Sequence, residues 1–243
     1  GLSMFKGLRD YNGIASCICK LTNESEGHIE SLYGIGFGGV IITNQHLFER
    51  NNGTLKIQTH HGEFVIPNTT TLSMFPCGNR DIVIIRMPKD LPPFPQKLKF
   101  RAPKSNERIC MIGTNFQEQS TRSTISESST TFQKEGSTFW KHWISTKDGY
   151  CGLPLVATED GKIVGIHSLS NVSNTQNYFT DFPPDFQKGP LANLHDLNWI
   201  KHWKYNADNV GYGSLMLHKS QPDGLFKPIK LVQDLKSEGV YNQ

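Results

Sequence analysis

The chain has 243 residues, with 25 Lys or Arg against 22 Asp or Glu, for a formal net charge of +3. That length allows one large all-β unit or two smaller domains sharing a cleft. The near-balance of charge does not call for a nucleic-acid partner, though it permits weak, salt-sensitive RNA contact. No run of 18 apolar residues occurs, so no transmembrane helix is expected, and 22 glycines with 13 prolines point to short strands and turns rather than long helices.

Along the chain, residues 13–21 alternate small or apolar with polar residues and read as a strand. Residues 32–43 form a Gly-punctuated hairpin whose second arm delivers Asn44, Gln45 and His46 at a strand end. Residues 55–59 and 62–66 flank a turn at His60 and His61. Residues 81–87 read as a buried strand that opens on the carboxylate of Asp81. Pro92, Pro93 and Pro95 end regular pairing. Residues 110–113 are another short strand, and residues 117–131 are Ser/Thr-rich with little apolar content. The aromatic stretch from Phe139 to Ile144 opens the second half. There Glu159, Asp160 and Gly161 make a hairpin turn between residues 155–158 and 162–167. Residues 191–204 carry Leu191, Leu194, Leu197, Trp199, Ile200 and Trp203 at roughly helical spacing. Short strands at regular intervals predict a β-barrel or sandwich, and two similarly sized β-rich halves are consistent with a duplicated barrel.

Five cysteines, an odd number in a chain of this size, fit reduced thiols in a cytosolic or nuclear compartment. Cys17-Ile18-Cys19 lacks metal-ligand spacing, and no HExxH pattern occurs, so no metal or other cofactor is expected. The first residues lack the apolar stretch of a signal peptide and an initiator Met, which fits a fragment released from a longer precursor.

The string Thr146-Lys147-Asp148-Gly149-Tyr150-Cys151-Gly152 carries the chemistry. Flanking glycines let a turn aim backbone N–H groups at one point, as an oxyanion hole requires. A thiol with an ordinary pKa of about 8.5 needs a base at neutral pH. His46 and Asp81 precede Cys151 in the order His, Asp, Cys and suit the base and the group that orients it. His167, with Thr146, suits the wall of a pocket for a neutral amide, which would favour Gln over Lys or Glu. The chain ends in Gln243, so self-release from a precursor predicts cleavage after Gln and before a small residue.

Together these stretches resemble the nuclear inclusion a proteases of potyviruses. The matching residues include 5–12, 33–38, 43–48, 78–81, 92–98, 139–143, 146–149, 151–152 and 165–168. The resemblance implies an all-β, chymotrypsin-like pair of antiparallel barrels with a cysteine nucleophile. An N-terminal barrel over 1–116 would carry His46 and Asp81, a C-terminal barrel over 117–221 would carry Cys151 and the Gln pocket, and 222–243 would be a tail. His46 would act as general base and acid, Asp81 would orient it, and Cys151 would attack the scissile carbonyl. Gly149 and Cys151 would form the oxyanion hole. Thr146, Asp148, His167 and Ser168 would line the Gln pocket. Ser170, Asn171, Asn174, Gln176, Asn177, Tyr178, Phe179 and Tyr212 would hold the upstream residues of a viral polyprotein peptide, or the chain's own C-terminus at Gln243, by strand addition. The resemblance also implies the cytoplasm and nucleus of a host plant cell. Gly13, Tyr150 and Tyr212 depart from the family's usual residues. The competing reading is an RNA-binding replication module with a secondary proteolytic role, carried by the basic and aromatic residues 199–204.

Overall fold

The computed structural model describes residues 11–116, 122–125, 128–133, 138–171, 176–192, 194–210 and 240–242. Its strands fall into two antiparallel sheets. The first holds β1 (Ile18–Ser25), β2 (His28–Phe37), β3 (Val40–Thr43), β4 (Thr54–Thr59), β5 (Gly62–Ile66), β6 (Ser73–Pro76) and β7 (Val83–Arg86), in the order β5-β4-β1-β2-β3-β7-β6. The second holds β8 (Arg108–Asn115), β9 (Arg122–Ile125), β10 (Ser129–Thr130), β11 (Phe132–Gln133), β12 (Phe139–His142), β13 (Pro154–Ala157), β14 (Ile163–Asn171), β15 (Asn177–Asp181) and β16 (Val240–Asn242). Its main path is β10-β8-β13-β14-β15-β12-β11, with β9 on β8 and β16 on β14.

The apolar runs of β3 and β7 are explained by burial on both faces. Successive side chains of a strand point to opposite sides. Ile41, Val83 and Ile85 therefore enter one cluster with Leu21, Leu32, Leu55 and Ile57 inside the first sheet. Ile42 and Ile84 turn the other way and join Ile18 and Ile35 against Ile109, Leu155, Ile166 and Phe179 of the second sheet. The two sheets thus share one core. Cys151, although it precedes β13, packs into the cluster of the first sheet.

Three expectations are corrected. Residues 11–15 are helical, and the strand predicted over 13–21 begins at Ile18. The strand predicted from Asp81 begins at Val83. Asp81 itself lies on the tight turn closed by Arg80 N–H to Cys77 O (3.2 Å) and Cys77 N–H to Ile82 O (2.9 Å). Among the described residues of 191–204 the helical element is the short 3-10 turn Asp196–Asn198. Tertiary pairing overrides the helical spacing there: Ile200 and Met74 exchange both backbone hydrogen bonds at 2.8 Å, adding an extended residue beside β6. The guanidinium of Arg86 sits 4.4 Å over the Trp199 ring, so part of the basic-aromatic stretch behind the RNA reading is occupied with the first sheet.

The loop before β8 is tied to the β13–β14 hairpin by one buried cation. Arg101 donates to both oxygens of Glu107 (2.8 and 3.0 Å) and to Asp160 (2.8 Å). Burial alone would raise the Asp160 carboxyl, but the hydrogen bonds and charge of Arg101 outweigh it and hold it below the ordinary carboxylate value. We expect Arg101→Met to destabilise the fold by about 3 kcal/mol, because Glu107 is left as a buried unpaired charge. Asp160 is more acidic folded than unfolded. Its contribution is therefore full above the ordinary carboxylate range and is lost as pH falls through the folded value. Thermal melts across the acid range should show a lower Tm and a shallower acid limb in the variant.

Candidate active site

His46 and Asp81 meet because β3 and β7 are paired in register, Thr43 opposite Val83. The chain leaves β3 into the 3-10 turn Gln45–Phe48, while Asp81 lies two residues ahead of the partner position. The Gln45 side chain laces the two ends together, donating to Arg80 O (2.9 Å) and Ile82 O (3.0 Å). The Asp81 carboxylate then accepts hydrogen bonds from the segment that leaves β3 and from the second sheet. They come from His46 Nδ1 (2.7 Å), His46 backbone N–H (3.1 Å), Asn44 Nδ2 (3.2 Å) and Ser168 Oγ (2.5 Å). All four residues are buried. A carboxylate can only accept, so His46 carries its proton on Nδ1 and turns Nε2 away from Asp81.

The His46 imidazole interacts with the Cys151 thiol. Cys151 Sγ also lies 3.1 Å from the Ser168 carbonyl oxygen. Burial is the largest influence on both groups. It pushes the Cys151 thiol up to about 11, although His46 opposes it. On His46 burial lowers basicity, but Asp81 and Cys151 outweigh it and hold the ring well above its ordinary value. The arrangement pairs a protonated thiol with an adjacent base strengthened by a buried carboxylate, which is what stepwise activation of a sulfur nucleophile needs.

The turn bearing Cys151 is clamped from both sheets. Tyr33 N–H of β2 donates to Cys151 O (2.8 Å), and Gly152 N–H donates to His167 O (2.9 Å). Gly149 and Gly152 both take positive φ, 91° and 86°. At Gly152 a Cβ would stand 1.7 Å from the Tyr33 carbonyl oxygen, so no side chain fits. The N–H groups of Tyr150, Gly152 and Leu153 are bonded within the turn or to β14, whereas those of Gly149 and Cys151 donate to no acceptor among the described residues.

A second group of buried polar side chains lies on β12, β14, β15 and the segment before Cys151. His167 of β14 is buried and meets His142 of β12, Nδ1 to Nε2, at 3.2 Å. Thr146 Oγ1 donates to Asn177 Oδ1 (2.8 Å), and Asn177 Nδ2 donates to Ile144 O (2.8 Å). Asp148 is exposed. Ser170 is buried on β14, and Tyr178 Oη bonds Gln176 Oε1 at 3.4 Å. Phe179, expected against a peptide, instead turns inward. The inward-outward alternation of β15 stacks it on Trp140 with ring centroids 6.2 Å apart, so its side chain belongs to the core. Asn171 ends β14 opposite Val240. Asn174, Tyr212 and Gln243 lie outside the described residues. Three site residues went unread in the sequence: Asn44, Gln45 and His142. For the first two the signal was adjacency to His46. For His142 it was the period-2 pattern that sets it on the same face of β12 as the buried Trp140.

We expect Gly152→Ala to cost at least about 2 kcal/mol through forced positive φ and overpacking. Its Tm should fall, and the rate at which a thiol-reactive probe labels Cys151 should change. A variant that melts and labels like the parent would show that the turn is not held as described.

With this geometry in place, residues 2–233 match peptidase family C4. The chain is 57% identical over 241 residues to the genome polyprotein of plum pox potyvirus (strain El amar). The match covers 99% of this chain and 16% of that polyprotein, so the chain spans about a sixth of the relative's length. Catalytically active tobacco etch virus protease complexed with product superposes with a TM-score of 0.79 at 59% identity, over 86% of this chain and 90% of that one. Catalytically inactive tobacco etch virus protease complexed with substrate gives 0.77 at 58% identity, over 82% and 93%. The chain belongs to peptidase family C4 and is a cysteine endopeptidase of chymotrypsin-like fold.

Proposed function

We propose that this protein cleaves a viral polyprotein after Gln and before a small residue, through Cys151, His46 and Asp81. The observation that carries the reading is the buried His46–Asp81 hydrogen bond, with the Cys151 thiol close enough to act on the His46 ring. Cys151 Sγ attacks the scissile carbonyl carbon while its proton passes to His46 Nε2. Asp81 stays ionised and stabilises the imidazolium. The oxyanion takes the N–H groups of Gly149 and Cys151. His46 then hands its proton to the leaving amine, which departs and leaves a thioester. Water, deprotonated by His46, attacks the thioester, and the thiol regains its proton.

The pocket formed by Thr146 and His167, with Asp148 at its rim and Ser168 behind, receives the Gln side chain. The upstream residues of the substrate add as a strand to β14, near Ser170, Asn171, Gln176, Asn177 and Tyr178. The pairing of β16 with Leu169, Ser170 and Asn171 supports this, because that edge already accepts an extended segment of the chain itself. β16 runs from opposite Asn171 to opposite Leu169, which is the direction of His167 and Cys151. In this reading β16 occupies the place of a substrate's upstream residues and competes with substrates for that edge.

Cys151→Ala should abolish cleavage while leaving the melting transition in place. A peptide spanning residues 238–243 followed by a small residue should be cut, and its Gln243→Glu counterpart should be cut at least about 100-fold less efficiently, as expected when paired donor and acceptor sites meet the wrong partner. Retained turnover in the Ala variant overturns the nucleophile assignment, and equal cleavage of both peptides overturns the pocket.

A further inference from the structure

We infer that the bulge at Ser168 makes peptide binding the trigger for the nucleophile: before substrate arrives the Ser168 carbonyl holds the Cys151 thiol proton, and a substrate N–H that reaches this carbonyl turns the proton over to His46. This rests on the proposed cleavage and on strand addition to β14. It makes Ser168 a positioning residue for both.

The register of β14 carries a step. His167 stands opposite Phe179 and Leu169 opposite Tyr178, which are neighbours in β15, so Ser168 is the extra residue of a bulge. A bulge re-aims the groups of the residue it inserts. At Ser168 the hydroxyl turns to Asp81 (2.5 Å) and the carbonyl oxygen to Cys151 Sγ (3.1 Å).

A thiol has one proton and directs it to one acceptor at a time. Two acceptors bear on Cys151, the Ser168 carbonyl and the His46 ring. The first is a neutral backbone oxygen that does not take the proton, so a thiol lying on it stays a thiol. The second is a base. The thiolate is the nucleophile, so the choice between the two acceptors sets the reactivity of the sulfur. Burial favours the uncharged thiol, and the carboxylates of Asp81 and Glu30 favour it further, while His46 opposes them. Those three side chains are the titratable groups that bear on the sulfur.

β16 shows where a competing N–H comes from. Val240, Tyr241 and Asn242 pair with Asn171, Ser170 and Leu169 in turn. Continued by one residue, this register sets the next residue of an extended peptide opposite Ser168. A backbone N–H is a stronger donor than S–H, so it takes the carbonyl and the thiol turns to His46. In the proposed reaction that residue is the Gln whose carbonyl is attacked. Activation therefore waits for the residue that is to be cut.

The test uses the intact chain and two short peptides, residues 238–242 capped as a methylamide or as a methyl ester. The methylamide supplies an N–H opposite Ser168, the ester supplies an oxygen there, and neither fills the place of the scissile carbonyl. Cys151 is alkylated with chloroacetamide at neutral pH, with each peptide at saturation by calorimetric titration. The methylamide should raise the alkylation rate about 10-fold or more, the effect of one unit in thiol pKa, and the ester should leave it within about 2-fold of the chain alone. A methylamide rate no higher than the ester rate overturns the inference. Should neither short peptide bind, matched cleavable peptides decide: residues 238–243 followed by a small residue, with the Gln243 N–H kept or replaced by an ester oxygen. At saturation in single turnover, loss of the N–H should slow acylation about 10-fold or more and displace the rise of rate with pH to higher pH. A change confined to KM overturns the inference. No cleavage of the amide peptide overturns the function reading instead.

Discussion

A carboxylate without water needs every lone pair answered, and this requirement at Asp81 organises the molecule. Moving an ionised carboxylate from water into a protein interior costs several kcal/mol unless hydrogen bonds replace the hydration shell. Asp81 is buried, and its two oxygens accept from Asn44, the His46 backbone, the His46 ring and Ser168. Asn44 and His46 lie just past β3 of the first sheet, while Ser168 lies within β14 of the second. The charge can be satisfied only where the two sheets meet, so the same interaction that prevents an unpaired buried charge also places the base at the junction. It fixes the His46 tautomer as well, since the proton given to Asp81 must be the one on Nδ1.

β14 carries the second half of the arrangement. Its His167 carbonyl holds the Gly152 N–H behind the nucleophile and accepts from Asn44. Its Ser168 hydroxyl reaches Asp81, and its Ser168 carbonyl stands beside the thiol. The next residues pair with β16. Arg80, adjacent to Asp81, reaches across to Asp181 of β15 (2.9 Å), where the Trp140 indole also donates (3.1 Å). The residues proposed as nucleophile, base, pocket and peptide edge are therefore positioned by a few neighbouring strands, and strands hold geometry better than loops do.

Much of this was legible before any coordinates. The short apolar runs of β3, β7 and β13 announced an all-β fold, and strand ends delivered His46 and Asp81. The two glycines around Cys151 announced a turn that only glycine can make against Tyr33. What stayed hidden depends on contacts between distant segments. Residues 191–204 have helical spacing, yet pairing of Ile200 with Met74 holds them extended. His142 looked like one of nine histidines until the fold set it against His167. Phe179 looked available to a peptide, but its place in β15 turns it onto Trp140. Local pattern reports what a segment prefers. It does not report which distant backbone group will fix a ring's proton.

The central claim is that Asp81 acts by holding His46 in one tautomer and stabilising its charged form, rather than by holding the sheets together. The direct measurement is single-turnover cleavage of a Gln peptide by Asp81→Asn, alongside its melting temperature and peptide affinity. Replacing the carboxylate with an amide keeps shape and most hydrogen bonds but permits the wrong tautomer. The account predicts a loss of roughly 10⁴-fold in the chemical step, with fold and peptide binding retained. A chemical step within about 10-fold of the parent would contradict it.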